Sequence, residues 1–246
     1  MNPLFSIITV CRNAEACIAP TLSSVDGQTC RLYEHIVVDG ASTDSTLAIL
    51  EAAPSELRTV VSEPDSGIYD AMNKGLARAK GDYVLFMNAG DRLHAPDTLQ
   101  RYADAIMDHD YPGVVYGQTD IVDADGTRLG PRHLTAPAQL TLQSFADGML
   151  VCHQAFVVLR RLAMPFDTQW RYSADYEWCV RCLQHSRRNV LVPDVTADYL
   201  AEGTTTAHRR RSLRERFRIM CYYYGTVPTV LRHVRFVFRA LRHGQY

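Results

Sequence analysis

The N-terminal part of the chain alternates between short apolar runs and longer segments with helical spacing. Apolar, β-branched runs predict strands at residues 4–10, 35–39, 58–63 and 83–87, and helix-compatible segments lie between them at residues 14–25, 42–53 and 66–80. Strands that alternate with helices are typical of βαβ units. Strands that are apolar on both faces are typical of a parallel sheet covered on both sides. The pattern predicts an α/β domain with a mostly parallel, Rossmann-like sheet flanked by helices.

The pattern changes after Asp91. The further predicted elements are a helix at 97–108, a strand at 150–161, a helix at 173–185 and a strand at 189–195. Two strand-like runs on either side of Asp125 and Gly126 predict a hairpin, because Asp-Gly is a favoured hairpin turn. Ser173 is placed to cap the helix that follows it.

Composition restricts the class of protein. The chain has 246 residues, of which 47% are hydrophobic and 22% charged, as expected for a globular protein. It contains no apolar run of the roughly 18 residues that a spanning helix needs, and its N-terminus lacks the features of a secretory signal. Seven cysteines at scattered spacing, including Cys179 and Cys182 within one predicted helix, indicate reduced thiols. We therefore expect a cytoplasmic protein.

The net charge of −1 hides a strongly basic tail. From His208 onward the chain has ten arginines and one acidic residue, Glu215. From Pro228 the spacing predicts an amphipathic helix, with apolar Val230, Leu231, Val234, Val237, Phe238 and Leu241 beside Arg232, Arg235, Arg239 and Arg242. Such a helix favours an anionic membrane surface, although its apolar stripe could instead pack on the protein or on a second subunit of a homo-oligomer.

Nucleic acid is not expected as a partner, because the rest of the chain is acidic. We predict one domain over residues 1–207 and a basic helical tail over 208–246.

Polar side chains follow three of the predicted strands. They are Thr9 with Asn13, Asp39 with Ser42, and Asn88 with Asp91. Ligands of an open parallel sheet bind beyond the carboxyl ends of its strands, so the three sets together favour a ligand site over simple turns and caps. No glycine-rich dinucleotide or P-loop motif is present. A bound diphosphate would therefore need a divalent cation, for which Asp91 is the candidate ligand.

Four segments, "FSIITVCRN", "HIVVDGASTDST", "DSGIYDAMNKGLARAKGDYVLFMNAGD" and "CHQAFVVLRR", resemble the family 2 glycosyltransferases with the GT-A fold. The likeness covers residues 4–205 and is greatest to the bacterial exopolysaccharide and colanic acid type. It implies inverting transfer of a sugar from a nucleotide-sugar donor, usually a UDP-sugar, with Mg or Mn. It also implies a glycan or polyprenyl-linked acceptor, and thus a peripheral protein at the inner membrane face.

The resemblance also assigns residues. It places Thr9 and Asp39 in the nucleoside pocket and gives Asp91 the metal, as the last residue of a D-x-D-like element. The full predicted donor and nucleotide set is Thr9, Cys11, Asn13, Asp39, Ser42, Asp70, Asn73, Lys74, Asn88 and Ala89. Asp70, Asn73 and Lys74 share one helix face, which could also be merely solvated. Many members have acids where this chain has Gly40 and Gly90, so a nucleotide other than UDP stays open.

The catalytic base of the family is a carboxylate near the start of the late helix, which is Asp175 here. The N-terminus of a helix also favours an anion electrostatically. His153, Gln154 and Glu177 are predicted as acceptor or cavity residues. Two other functions remain open at this point: a nucleotide-sugar-binding scaffold that has lost catalysis, and a nucleotidyltransferase.

Overall fold

The computed structural model describes residues 3–201 and 209–243, and side chains as far as residue 234. Its described strands are β1 (Phe5–Cys11), β2 (Tyr33–Asp39), β3 (Arg58–Ser62), β4 (Tyr83–Phe86), β5 (Arg92–Leu93), β6 (Val114–Val122), β7 (Arg128–Pro131), β8 (Phe156–Leu159) and β9 (Asn189–Leu200). The helices are α1 (Ile18–Asp26), α2 (Thr46–Ala52), α3 (Ile68–Leu76), α4 (Thr98–Asp108), α5 (Ala174–His185), α6 (Arg209–Tyr224) and α7 (Thr226–His243). The strands form one sheet in the order β3-β2-β1-β4-β8-β6-β9-β5, and β7 pairs with β6.

The first half of the sheet is parallel. β1 pairs in parallel with β2 and with β4, and β2 pairs in parallel with β3. Every residue of β1 and β4 is buried, as expected for apolar strands with helices on both faces. The predicted α/β architecture is confirmed, and the carboxyl ends of β1, β2 and β4 lie side by side.

An aromatic cluster holds α5 against the sheet. The Trp178 ring on α5 lies 5.4 Å from the Phe86 ring at the end of β4 and stacks on Phe166 at 5.0 Å. Trp178 is fully buried, and such edge and stacked ring contacts add to the free energy gained by burying the rings. The cluster thereby places the first turn of α5, which carries Asp175, near the carboxyl end of β4.

Three predictions about elements need correction or extension. The strand predicted at 150–161 is limited to β8, and a 3₁₀ helix covers His153–Ala155, because His153 and Gln154 bond to side chains that follow β4. β9 continues to Leu200, five residues past the prediction, since it pairs with β6 over that length. Ser173 holds the N-cap position of α5, but its hydroxyl bonds to Ser212 of α6 and caps nothing. The predicted hairpin is confirmed as the antiparallel β6–β7 pair.

The tail forms a helical hairpin that turns at Gly225, where φ is +86°. α6 packs on the core through buried Ile219 and Met220. α7 leaves Val227 70% and Leu231 65% exposed. The side chains predicted on the later part of the stripe, including Val237, Phe238 and Leu241, lie outside the described residues. Among the helices of residues 3–201 and 209–243, none combines the length and apolarity needed to cross a bilayer.

Candidate active site

Two adjoining cavities lie at the carboxyl edge of the parallel strands. The first has a volume of about 160 Å³ and is lined by Ile68, Tyr69, Met72, Asn88, Ala89, Asp91, His153, Gln154, Arg171, Tyr172, Asp175, Tyr199 and Leu200. The second, of about 370 Å³, is lined by Val10, Cys11, Arg12, Asp65, Gly67, Ile68, Ala71, Arg171 and Tyr172. Ile68, Arg171 and Tyr172 are common to both. The two cavities thus adjoin along the edge of the sheet from the end of β1 to the end of β4, and we refer to them together as the cleft.

Asp91 is buried at the floor of the first cavity, with 5% of its surface exposed. One carboxylate oxygen accepts a hydrogen bond from Gln154 Nε2 at 2.6 Å, and the other accepts one from the Leu200 amide at 3.1 Å. Burial raises the pKa of Asp91 to about 6, in spite of these two donors. The two donors therefore do not fully offset the cost of burying the negative charge of this carboxylate. A cation beside it would favour its ionised form.

Asp175 lines the same cavity from the first turn of α5. Its Oδ1 accepts a hydrogen bond from the Tyr69 hydroxyl at 3.0 Å, and its Oδ2 lies 3.4 Å from Nδ1 of His153. Burial acts to raise the pKa of Asp175, but the His153 hydrogen bond and charge and the Arg216 guanidinium outweigh it and lower the pKa to about 2. Asp175 is therefore ionised throughout the neutral range.

The 3₁₀ helix at His153–Ala155 links the two carboxylates. His153 Nε2 lies 3.2 Å from Asn88 Nδ2, while its other ring nitrogen faces Asp175. The next residue, Gln154, holds Asp91. The predicted cavity positions of His153 and Gln154 thus agree with the geometry, and both side chains brace catalytic candidates.

The oxygen atoms around Asp91 suit a magnesium or manganese ion. Asn88 Oδ1 is buried without a hydrogen-bond partner among the described residues, and Asn88 lines the cavity with Asp91. In the described ranges no group of three or more His, Cys, Asp and Glu side chains could hold a metal. Asp91 and Asn88, which line the same cavity, would supply one carboxylate and one amide oxygen. Mg²⁺ is commonly bound in this way, with phosphate oxygens and water as the other ligands.

The residues after β1 and β2 mainly bond to one another. Asp39 is fully buried and accepts hydrogen bonds from the Ser42 amide at 2.9 Å and the Ser62 hydroxyl at 2.7 Å. Burial acts to raise its pKa, but these donors outweigh it and hold the pKa below its usual value. The Asn13 amide donates to Ser42 Oγ at 2.8 Å, which ties the two loops together.

Thr9 and Cys11 on β1 differ in position. The Thr9 side chain is buried and lies 2.9 Å from Nε2 of His35, so it lines neither cavity. Cys11 lines the second cavity, and burial raises the pKa of its thiol. The role of Thr9 in nucleoside binding stays a prediction.

Gly40 and Gly90, the two glycines noted in the sequence, differ in their surroundings. A Cβ on Gly40 would lie 2.1 Å from Asp65 Oδ2, so the Asp65 carboxylate fills the space of a side chain at position 40. Asp65 lines the second cavity and thus supplies an acid there from the loop after β3. Gly90 has φ +100°, and a Cβ on it would lie 2.8 Å from Leu200. A side chain at position 90 would strain the turn.

The predicted face of α3 is occupied by local contacts. Asp70 accepts a hydrogen bond from the Ser66 amide at 2.9 Å, Lys74 donates to the Pro64 carbonyl at 2.6 Å, and Asn73 bonds both backbone groups of Phe166. These three α3 side chains line neither cavity, and their donor contacts stay a prediction. Asp70 and Lys74 are partly exposed, whereas Asn73 holds the loop that carries Phe166.

Glu177 is predicted as a cavity residue, but it lines neither of the two cavities. It is buried on α5, accepts hydrogen bonds from Arg181 at 2.8 and 2.9 Å, and is bonded by the Tyr223 hydroxyl of α6. The helical period explains the difference, because residues two apart on a helix point in different directions. Sequence reasoning missed four residues that line the first cavity, namely Tyr69, Tyr199, Arg171 and Tyr172. Tyr69 lies in a segment that carries the family resemblance, but the resemblance assigns it no role.

Comparison with known proteins agrees with this geometry. A family model described as Glycosyl transferase family 2 matches residues 6–164. The PGL/p-HBAD biosynthesis glycosyltransferase of Mycobacterium bovis (strain BCG / Pasteur 1173P2) is 35% identical over 189 residues, which cover 74% of this chain and 71% of that protein.

Solved structures extend the likeness to the fold. S. aureus TarS in complex with UDP superposes with a TM-score of 0.73 at 20% identity, covering 97% of this chain and 72% of that chain. The mannosyltransferase PcManGT from Pyrobaculum calidifontis, in complex with GDP-Man and Mn²⁺, superposes with a TM-score of 0.64 at 19% identity, covering 100% and 77%. The architecture is thus GT-A-like, and with the family match and the mycobacterial relative it follows that the chain belongs to glycosyl transferase family 2.

Proposed function

We propose that the protein is a metal-dependent inverting glycosyltransferase that moves a sugar from a UDP-sugar to a glycan or lipid-linked acceptor in bacterial exopolysaccharide biosynthesis. The observation that carries the proposal is the convergence of Asp91 and Asp175 on one cavity, which adjoins a second cavity at the end of β1. One carboxylate would serve the leaving diphosphate, and the other the incoming hydroxyl. The names of the mycobacterial relative and of the TarS complex with UDP support the reaction class and the donor.

Asp175 is suited to the role of base. Inverting transfer needs a group that removes the acceptor proton as the hydroxyl attacks the anomeric carbon. The carboxylate is ionised, and Tyr69 and His153 fix its orientation. Burial and the nearby Asp175 charge hold the pKa of Tyr69 well above its usual value, so the phenol keeps its proton and remains a donor. A weakly basic carboxylate acts here mainly through its fixed position.

The Asp91 carboxylate and the Asn88 amide oxygen would hold Mg or Mn. When bound, the cation would neutralise negative charge on the departing diphosphate. Gln154 and the Leu200 amide orient Asp91 from behind, and His153 fixes the Asn88 amide through Nδ2. These contacts leave Asn88 Oδ1 available for the cation.

A donor panel tests the reaction class. The protein is incubated with UDP-, GDP- and dTDP-sugars, Mn²⁺ and a polyprenyl-linked glycan acceptor, and the nucleotide products are separated. We expect release of UDP from one UDP-sugar, with the sugar added to the acceptor. Binding of nucleotide without turnover of any donor would favour a non-catalytic scaffold. Release of pyrophosphate from a nucleoside triphosphate and a sugar phosphate would instead identify a nucleotidyltransferase.

For the tail, residues 208–246, we propose peripheral attachment to an anionic membrane. α7 exposes Val227, Leu231 and Val234 as apolar groups, and α6 exposes arginines on its outer surface. Apolar burial at the lipid interface and arginine contact with anionic headgroups would act together. Attachment would bring the cavities near a lipid-linked acceptor.

Replacement of Leu231 by Glu is expected to reduce binding to anionic vesicles by about tenfold, because it removes an apolar anchor and adds a charge of the wrong sign. Flotation with phosphatidylglycerol-containing liposomes measures the bound fraction. Leu129→Glu is the matched control, since Leu129 is 59% exposed on β7, outside the tail. Equal flotation of the two variants and the parent protein would remove the role of α7.

A further inference from the structure

A carboxylate on α6 of the tail bonds to the wall of the active-site cleft. Glu215 on α6 accepts a hydrogen bond from the backbone amide of Arg171 at 3.1 Å and from that of Tyr172 at 2.8 Å. Glu215 is the one acidic residue in the sequence after Ala207. Its two amide partners come directly before Ser173, the N-cap residue of α5. A carboxylate at this place both pairs amides that the helix itself does not bond and lies at the positive end of the helix dipole.

Two neighbouring side chains of α6 hold the same segment. Arg211 Nη1 donates to the Tyr172 hydroxyl at 3.1 Å. Ser212 and Ser173 are both buried and bring their hydroxyls to 3.0 Å. One turn of α6 therefore holds residues 171–173 by their backbone and by two of their side chains.

The segment that α6 holds is the wall shared by the two cavities. Arg171 and Tyr172 line both of them, and Asp175 follows three residues later on α5. A displacement of this segment would change the shape of both cavities. Since hydrogen bonds to an ionised carboxylate are about twice as strong as neutral ones, Glu215 is the contact whose loss should matter most.

We propose that Glu215 is a positioning residue for donor binding, so that α6 of the tail is a structural part of the nucleotide-sugar site. The inference rests on the proposed function, because it takes the cleft to be the donor site. It assigns the tail a second role, independent of any membrane, and predicts that donor affinity depends on a residue that touches no ligand.

The test compares UDP binding by the full chain and by Glu215→Gln, measured by calorimetry in the presence of Mn²⁺. A glutamine can accept one amide but turns its own NH₂ toward the other, so the wall loses an anchor. We expect the Kd for UDP to rise about tenfold. In turnover assays the donor KM should rise by a similar factor, with kcat and the acceptor KM nearly unchanged. Glu51→Gln, the same chemical change at an exposed position on α2, should bind as the parent does.

The outcomes separate this inference from the proposal on which it rests. Equal UDP affinity of Glu215→Gln and the parent would overturn the positioning role and leave the proposed function intact. Failure of the parent protein to bind any nucleotide would overturn both. If Glu215→Gln does not fold, Glu215→Asp retains the charge with a shorter reach, and Arg211→Leu removes only the bond to the Tyr172 hydroxyl. Both should then weaken UDP binding severalfold, and parent-like affinity of both would contradict the inference.

Discussion

Replacement of Asp175 by Asn is expected to lower kcat by about 10²- to 10⁴-fold, the usual contribution of a general base, while the Kd for UDP changes little. The amide keeps the size of the carboxylate and can still accept the Tyr69 hydrogen bond, but it cannot take a proton from an acceptor hydroxyl. Turnover is measured with the preferred donor, and UDP affinity by calorimetry on the same preparation.

Asp104→Asn is the control for this change. Asp104 is exposed on α4 and lines neither cavity, so its variant should keep parent activity. Retention of more than about a tenth of the parent kcat by Asp175→Asn would be inconsistent with a base that contributes a typical factor. A fall in UDP affinity equal to the fall in kcat would indicate that Asp175 shapes the donor site instead.

Much of the first half of the fold could be predicted from local patterns. The apolar runs that become β1 to β4 are short, bounded by turns and separated by helical spacing, so that nearby residues suffice to identify them. The second half depends on partners distant in the chain. β5 has only two residues and exists because Arg92 and Leu93 pair with β9. The end of β9 likewise follows from β6, and no local signal marks it.

The site was predictable where its residues follow a strand or belong to a motif. Asp91 and Asn88 follow a strand, the family resemblance implies Asp175, and all three line the first cavity. Tyr69 could not be identified from the sequence, because a tyrosine on an amphipathic helix is typical of a core residue. Only the packing of α5 brings its hydroxyl to Asp175. Glu215 could not be predicted at all, since its contact with the Arg171 amide arises from docking of α6.

Local contacts already engage several polar side chains that the sequence predicts as ligand contacts. Lys74 and Asp70 have the charge and spacing of ligand contacts, yet Lys74 lies 3.5 Å from Glu63 and 3.7 Å from Asp70 in a surface cluster. Such exposed pairs contribute little to stability, but they can occupy the side chains. Spacing along a helix shows which residues share a face, and it cannot show what packs against that face.

The division into residues 1–207 and 208–246 remains a proposal. The contacts of α6 bear on whether the tail can be removed in an experiment without disturbing the rest of the protein. Ile219 and Met220 are part of the main core, and Tyr223 bonds to Glu177. A truncation at Ala207 would therefore uncover apolar surface and break the contacts of Glu215. Single substitutions on α6 and α7 separate the roles of the tail more cleanly than removal of the whole segment.

The central claim is that Asp91 holds a divalent cation against the donor diphosphate. Calorimetric titration of UDP, with Mn²⁺ and with EDTA, into the parent protein and Asp91→Asn tests it most directly. An asparagine has about the same size but no charge, so it should lose the ion while the nucleoside contacts remain. We expect Mn²⁺ to strengthen UDP binding to the parent by at least about tenfold, because loss of a metal ligand should cost no less than loss of a group that only hydrogen-bonds to a ligand. For Asp91→Asn we expect UDP affinity to be the same with Mn²⁺ and with EDTA, whereas an undiminished Mn²⁺ effect in this variant would contradict the account.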